Sequence, residues 1–417
     1  MKVALFLSNF PTLPETFILN QVTGLIDLGV DIDIYASANP YEGKVHPQVK
    51  KYKLVERVSY SDSIAPLFQR LTKGVKIVLK NFYKNPLAYT EAIKSRSLRD
   101  LFYVNNFLTN ESKKSYDLIH AHYGSNGLIG AILKEAGVFR GKLITSFHGY
   151  DFSKLINERG SETYKELFRI GDLFTANTNF TKGKLIELGC SKSKIVMLPV
   201  GMDINFFNFR ERYLRDRSLV KLLTIARMVE KKGLEYAIKA VSRVAQKYSN
   251  IEYNIIGDGI LRSRLENLIK GLGISDKINL LGWKTQEELK SLLQEAHIFI
   301  LTSVTAGDGD MEGQGLVLQE AQAVGLPVLS TLHNGIPEGV IDGKSGFLVP
   351  ERDVDALVKK LEYLIEHPEL WPEMGRYGRK FVEERYDIEK LNQQLVNIYN
   401  ALLTNDTSVL EELKGEQ

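Results

Sequence analysis

The pattern that most restricts the fold is an alternation that runs its course and then begins again. Short runs rich in aliphatic and aromatic residues come first: "KVALFLS" (residues 2–8), "VDIDIYA", "YDLIHAH" (116–122), "KLITSFHG" (142–149), "DLFTANT" and "KIVMLPVG". Helical segments separate them, among them "ETFILNQVTGLIDLG" and the stretch 126–136. A second series follows, "VKLLTIA" (220–226), "IEYNIIG", "INLLG", "HIFILTS" and "LPVLST", with helices from Gly233 and over 262–272. Strands alternating with helices of about 10–15 residues read as βαβ units, and these build open, parallel, doubly wound sheets. A chain of 417 residues exceeds what one core usually supports, so the restart is expected to mark a second domain. The boundary is sought in "VGMDINFFNFRERYLRDR" (200–217), where periodicity lapses and charge rises. From Val354 to Leu403 the pattern is all helical, and an acidic tail follows. Ligands of such sheets bind beyond the carboxyl ends of the strands, so the loops after strands should hold the chemistry.

Charge is uneven. Between Lys44 and Lys114 there are 15 Lys/Arg against 5 Asp/Glu, a net of +10 that leaves −7 for the rest of a chain whose total is +3. Within it "RLTKGVKIVLKNFYKN" (70–85) has Leu71, Val75, Val78, Leu79 and Phe82 near helical spacing, with Lys73, Lys76, Lys80 and Lys84 interleaved. One reading is an amphipathic helix packing its apolar stripe inward; the other is a helix lying on an anionic membrane surface. No nucleic-acid recognition motif accompanies the excess, so no nucleic-acid partner is expected. The single cysteine, Cys190, excludes a disulfide framework and suits a reducing cytoplasm. The N-terminal apolar run is too short for a signal peptide, and no stretch approaches a membrane span.

Two loops carry residues suited to a sugar nucleotide. In "TIARMVEKKG", Arg227 and Lys232 follow the second domain's opening strand five residues apart, and a guanidinium fork with a point charge suits a diphosphate. In "GDGDMEGQGLVLQEAQAVG" (307–325), a helix opens near Gly315, and a helix N-terminus offers unpaired N–H groups and a positive dipole end to phosphate. Glu320, about a turn and a half into that helix, could accept both ribose hydroxyls, while Glu312 lies upstream on the sugar side. Asp308-Gly-Asp310 is also a D-x-D of the kind that holds a divalent cation. Arg227, Lys232 and the helix end already supply that charge, so no metal and no cofactor are expected. His120 and His122, two apart on one strand face with no third ligand evident, are taken as lining or structural residues.

Glu312 and Glu320, separated by seven residues, resemble the E-x7-E motif of family four of the retaining glycosyltransferases. "ARMVEKKG", "IIGDGILR", "LGWKTQEEL", "LPVGMDINFF" and "HNGIPEGVIDGKSGFLV" resemble further segments of that family in the same order. "HAHYGSNG" and "SFHGYDFS" look like its exopolysaccharide and lipopolysaccharide branch. The resemblance implies an α/β chain of GT-B fold: two doubly wound, Rossmann-like domains facing across a cleft. They would span 1–202 on the acceptor side and 203–383 on the nucleotide-sugar side, with 384–417 forming a helix that crosses back, plus a tail.

By the same analogy Arg227 and Lys232 grip the donor diphosphate with the N–H groups of Gly315, Leu316 and Val317, and Glu320 takes the ribose. Trp283 and Lys284 lie on the nucleobase side, and His148 and Glu312 act at the donor sugar. The first loop, "SNFPTLPETFIL", departs from the family's paired glycines, which leaves Glu15 and Thr16 as donor- or acceptor-facing residues. "AGDGD" and Gly313-Gln314, where the common form has Pro-Phe, leave donor choice open. The implied activity is metal-independent hexosyl transfer with retention, onto a saccharide acceptor, in particular an oligosaccharide on polyprenyl diphosphate. Such an enzyme would work in the cytoplasm, with its basic helices at the inner face of the membrane. A sugar-nucleotide epimerase of the same build, or a binding subunit without turnover, would share most of these features.

Overall fold

The computed structural model describes residues 1–12, 15–39, 45–61, 67–94, 97–110, 115–152, 154–214, 218–406 and 408–411. The end of the expected boundary stretch (215–217) and of the acidic tail (412–417) lie outside them. The chain divides into two compact units. Unit 1 comprises Met1–Asn177, Thr181–Leu198 and Ile388–Gln417; unit 2 comprises Thr178–Phe180 and Pro199–Asp387.

Unit 1 holds seven strands: β1 (Lys2–Asn9), β2 (Asp31–Ala38), β3 (Val58–Tyr60), β4 (Leu118–His122), β5 (Lys142–Phe147), β6 (Leu173–Ala176) and β7 (Ile195–Met197). They pair in parallel in the order β3-β2-β1-β4-β5-β6-β7. Val3 to Leu7 of β1 are at most 1 % exposed, because helices cover both faces of the sheet; that is why the strand reads as an unbroken apolar run. β3 was not legible in the sequence: three residues at the sheet edge, inside a segment whose charge and spacing read as helical. The helix Ile388–Thr404 belongs to this unit and buries Leu391, Leu395, Ile398, Tyr399 and Leu402, one helical face. It packs on the helix Thr16–Asp27 so closely that a Cβ at Gly24 would lie 2.0 Å from Asn392 Nδ2.

Unit 2 holds β8 (Val220–Ile225), β9 (Ile251–Ile256), β10 (Ile278–Gly282), β11 (Ile298–Leu301), β12 (Val328–Thr331) and β13 (Gly346–Val349). All are parallel, in the order β10-β9-β8-β11-β12-β13. In both sheets the first strand pairs with the second and the fourth of its own unit, so the winding reverses between β1 and β4 and again between β8 and β11. A crevice opens at such a reversal, at the carboxyl ends of the two strands, and that is where doubly wound sheets bind ligands.

The helix Leu67–Asn81 corrects one of the two readings of the basic segment. Leu71, Val75, Leu79 and Phe82 face solvent, while Gly74, Val78 and Asn81 turn inward. Gly74 admits the neighbouring helix Leu98–Asn110, whose Leu98 and Leu101 side chains stand 3.3 and 3.4 Å from where its Cβ would be. Among the described residues no helix is long and apolar enough to cross a membrane.

Candidate active site

In unit 2 the loops that carry Arg227, Lys232 and Glu312 follow the two strands at the reversal point. Arg227 to Gly233 follow β8, and the loop from Thr302 to Gly315 follows β11. Gly233 has φ 58°, and a Cβ there would meet Thr302 O at 1.9 Å, so the two loops touch backbone to backbone and only glycine fits. Thr302 Oγ1 donates to Gly233 O at 2.8 Å, and Val304 N donates to Lys231 O at 2.9 Å. The Arg227 loop is also tied to the loop after β9, with Met228 N donating to Asp258 O at 2.8 Å and Leu261 N to Met228 O at 3.0 Å. A Cβ at Gly257 would meet Ala226 O at 2.1 Å, which fixes one glycine of the G-x-G segment.

These backbone ties bring Lys232 into a direct ion pair with Glu312. Lys231 reaches Asp310 Oδ1 at 3.1 Å and Met311 O at 3.2 Å. Burial would raise the Glu312 carboxyl, but Lys232 and Lys231 outweigh it and hold it below the usual carboxylate range. Glu312 is therefore an anion at neutral pH. Asp310 also meets a lysine. Among the described residues no group of three or more His, Cys, Asp or Glu is placed to hold a metal ion. Arg227 is exposed, and its guanidinium makes no ion pair among the described residues.

Gly315 caps the helix Leu316–Ala323 in the left-handed region, φ 72° and ψ 50°. Among the described residues the N–H groups of Gly315, Leu316 and Val317 meet no acceptor, so three donors stand free at a helix N-terminus. Gln314 fixes the approach to this end: its amide donates to Val200 O and accepts from Val200 N, both at 2.8 Å. Glu320 is partly buried, has no hydrogen-bond partner among the described residues, and is pushed up to about 7 by burial. A partly buried carboxylate with no donor from the protein is placed to accept from hydroxyls that a ligand brings. Trp283, 64 % exposed, follows the edge strand β10, and Lys284 pairs with Glu288 at 3.2 Å; among the described residues no hydrogen bond or ion pair joins either to the Lys232–Glu312 group.

Behind Glu312 lies a support that the sequence did not reveal. Fully buried His333 accepts from Glu312 N at 3.1 Å and from Asn334 Nδ2 at 2.9 Å through Nε2. Its proton is therefore on Nδ1, which donates to Glu351 Oε1 at 2.5 Å. Asn334 Nδ2 also donates to Glu312 O at 3.1 Å. The backbone of Glu312 is thus held on both sides by residues after β12.

In unit 1 the loops after β1, β4 and β5 form a second group. His122, at the end of β4, places Nδ1 3.2 Å from His148 Nε2, after β5, and the two rings stack at 5.5 Å with 3° between planes. His120 stacks on the other side of His122 at 4.8 Å and is tied to Tyr399 OH at 2.6 Å and Ser146 Oγ at 2.7 Å. Burial lowers all three imidazoles, His148 to about 4 and His120 to about 3, so the stack is neutral at physiological pH. Asp151 accepts from His148 N and Gly124 N, both at 2.8 Å, and orders this turn. Burial pushes its carboxyl up to about 7 against those two donors.

Tyr123, held at φ 72°, donates to Glu15 Oε1 at 2.9 Å and lies 4.9 Å from the His148 ring. Glu15 and His148 are therefore neighbours through Tyr123, and Thr16 opens the following helix. Phe17, 5.3 Å from the His148 ring, closes the other edge. His122 Nε2 is buried with no partner among the described residues.

Two sequence profiles divide the chain. The one described as Glycosyl transferases group 1 matches residues 205–381, and the one described as Glycosyltransferase Family 4 matches 14–206. The putative colanic acid biosynthesis glycosyltransferase WcaL of Escherichia coli K12 is 35 % identical over 414 residues, covering 96 % of this chain and 100 % of that protein. The amylovoran biosynthesis glycosyltransferase AmsK of Erwinia amylovora is 37 % identical over 362 residues, 86 % of this chain and 89 % of that one. Among solved structures, sucrose-phosphate synthase of Thermosynechococcus elongatus superposes with a TM-score of 0.73 at 18 % identity, covering 97 % of this chain and 100 % of that one. Anabaena HepE in complex with UDP-glucose gives 0.70 at 18 % identity, covering 96 % and 100 %.

Proposed function

The chain belongs to family four of the glycosyltransferases, with the GT-B fold, and from that premise we propose a specific reaction. It moves a hexosyl group from a sugar nucleotide to a saccharide acceptor, with retention at the anomeric carbon and without a metal. The observation that carries this reading is the end of the helix Leu316–Ala323. Three free N–H groups and a carboxylate lacking any protein donor belong to one helix, and Glu312 of the Lys232–Glu312 pair stands beside its N-cap, Gly315. The N–H groups suit a diphosphate, and two vicinal ribose hydroxyls are the donors that Glu320 lacks. Lys231, Lys232 and Arg227 bring the positive charge that a divalent cation would otherwise supply.

In the step we propose, an acceptor hydroxyl oxygen attacks the anomeric carbon as the bond from that carbon to the diphosphate oxygen breaks. The hydroxyl proton passes to the departing diphosphate on the same face, which preserves configuration. Arg227, Lys232 and the helix N-terminus stabilise the charge that grows on the leaving group. Glu312, ionised and fixed by its lysines and by His333, contacts the donor sugar. His148, neutral and held by Asp151 and His122, serves the same reaction as a hydrogen-bonding group. Trp283 and Lys284 take the nucleobase side, and Glu15 and Thr16 face the acceptor or donor sugar.

The likeness to WcaL and AmsK supports exopolysaccharide synthesis as the setting; within it we propose an oligosaccharide on polyprenyl diphosphate as acceptor, in the cytoplasm at an anionic membrane surface. The test is a thermal-shift screen of UDP-, GDP-, ADP- and CMP-sugars with EDTA present, on the wild type and on Glu320→Ala. Stabilisation by one nucleotide class, lost in the variant, is the expected result. Stabilisation only after Mg²⁺ or Mn²⁺ is added would overturn the metal-free reading, and an equal shift in the variant would overturn the ribose assignment. Conversion of the sugar nucleotide without any acceptor would make the chain an epimerase.

A further inference from the structure

Nothing in the donor site accounts for the outward side of the helix Leu67–Asn81. Phe68 is 76 % exposed, Leu71 47 %, Val75 60 % and Leu79 80 %, and just beyond the helix Tyr83 is 76 % exposed. At about 100° per residue the four helical positions fall within an arc of roughly 80°. Lys73, Lys76 and Lys80 fill the adjoining arc of roughly 60°, between the apolar stripe and the buried face. The orientation is fixed from inside: Gly74 admits Leu98 and Leu101, Ile77 and Val78 pack on the unit 1 core, and Asn81 donates to Asn105 Oδ1 at 3.0 Å. Turning the stripe inward would break all three contacts. Among the described residues no side chain covers it, and contiguous exposed apolar surface beside cations marks a binding face.

We propose that this helix lies in the plane of an anionic bilayer, with Phe68, Leu71, Val75 and Leu79 in the acyl boundary and Lys73, Lys76 and Lys80 on the headgroups. Charge selects the occupant. The segment 44–114 carries a net of +10, so a second copy would bring a like-charged row against the first, whereas an anionic lipid surface neutralises it. The lysine stems reach past the stripe to the headgroup level while their ammoniums stay hydrated. The inference gives the membrane part of the proposed function a defined surface, and it stands or falls separately from the donor site.

The experiment is flotation of the full chain with phosphatidylcholine vesicles, with and without phosphatidylglycerol. The variants are Val75→Ser with Leu79→Ser, and Lys76→Glu with Lys80→Glu; Lys73, whose ammonium also lies 5.4 Å from the Phe102 ring centroid, is left in place. These side chains are solvent-exposed, so both variants should keep the wild-type melting temperature and its shift with nucleotide. The wild type should float only with the anionic vesicles and less so as salt rises, and each variant should lose roughly tenfold or more of that binding. A third variant, Leu79→Trp, should show an indole emission that moves to the blue on adding anionic vesicles. The proposal is overturned if the wild type stays with the unbound protein, or if the serine variant floats as well as it does. It is equally overturned if the wild type is a dimer in solution that the serine variant converts to monomer, which would assign the stripe to a second copy.

Discussion

Replacing Glu320 by glutamine should make the ligand-free protein more stable at alkaline pH and no more stable at acid pH. The carboxyl is shifted from 4.5 to about 7 by burial alone, with no donor to compensate. At about 1.4 kcal/mol per pH unit, that difference corresponds to about 3 kcal/mol. The sign follows from proton binding. Below 4.5 the folded and unfolded chains both hold the proton, and the residue has no pH-dependent effect. Between 4.5 and about 7 the unfolded chain has released it while the folded chain retains it, so stability falls as pH rises; above about 7 the loss is complete.

Glu320→Gln keeps the shape and cannot ionise, so its difference from wild type isolates this one group. Melting followed at pH 5 and pH 8 should give nearly equal midpoints at the lower value and a variant that melts roughly 6–12 °C higher at the upper one, for a unit of about 190 residues. The same variant should lose the stabilisation that sugar nucleotides give the wild type. A difference between variant and wild type that does not change with pH, or one that favours the wild type at pH 8, would refute the claim that this carboxylate lacks partners.

Other perturbations test the frame around it. Gly233→Ala and Gly273→Ala both place a side chain at positive φ, 58° and 69°, yet only the former meets backbone, at 1.9 Å, while the latter opens on empty space. Denaturant unfolding should give about 1–2 kcal/mol for Gly273→Ala and about 2–5 kcal/mol for Gly233→Ala; equal values would mean that the two loops do not touch. His333→Phe removes the acceptor for Glu312 N–H and the donor to Glu351 Oε1, while Oε2 keeps Thr305 N and Arg352, so kcat should fall by about 10²-fold with nucleotide affinity nearly unchanged. His333→Gln, which retains an acceptor, should recover much of that loss in a donor-turnover assay. Arg227→Lys exchanges a fork for a point charge and should weaken donor binding roughly tenfold by titration calorimetry, with melting unaffected because the side chain is exposed.

What the sequence could and could not reveal follows the kind of interaction involved. Strands buried on both faces are written as apolar runs, so β1, β4, β5, β8, β9 and β11 were legible, and the restart at Val220 announced a second sheet. β3 was not, since three edge residues carry no period. Arg227, Lys232, Glu312 and Glu320 were legible because their loops follow strands, where ligands of such sheets bind. His333, Gln314 and Tyr123 were not. Each acts by hydrogen bonding to a residue 21, 114 or 108 positions away, and no local pattern encodes that.

The stack of His122 on His148 depends on β4 pairing with β5 in the register His122↔Ser146, which only the sheet determines. The lack of a partner at Glu320 is likewise invisible in one dimension, because it is a property of everything that does not approach. The basic helix shows the same limit from another side: its period was right, but which face turns inward was decided by Gly74 and the helix it admits.

The membership of the helix Ile388–Thr404 in unit 1 has a consequence for synthesis. Unit 1 comprises the residues up to Leu198, apart from Thr178–Phe180, and resumes only at Ile388. During translation its sheet therefore emerges about 190 residues before the helix that supplies Tyr399 to His120 and Leu395 to the β1 side of the core. At about 5–20 residues per second that interval lasts roughly 10–40 s. Unit 2, apart from Thr178–Phe180 continuous in sequence, can complete its core within that time, so the second unit to be made is the first able to finish folding. Throughout the interval the side of the helix Thr16–Asp27 that carries Asn20 and Gly24 lacks its partner Asn392, and the part of the core that Leu395, Ile398 and Leu402 close stays open to a chaperone until the last turn of helix leaves the ribosome.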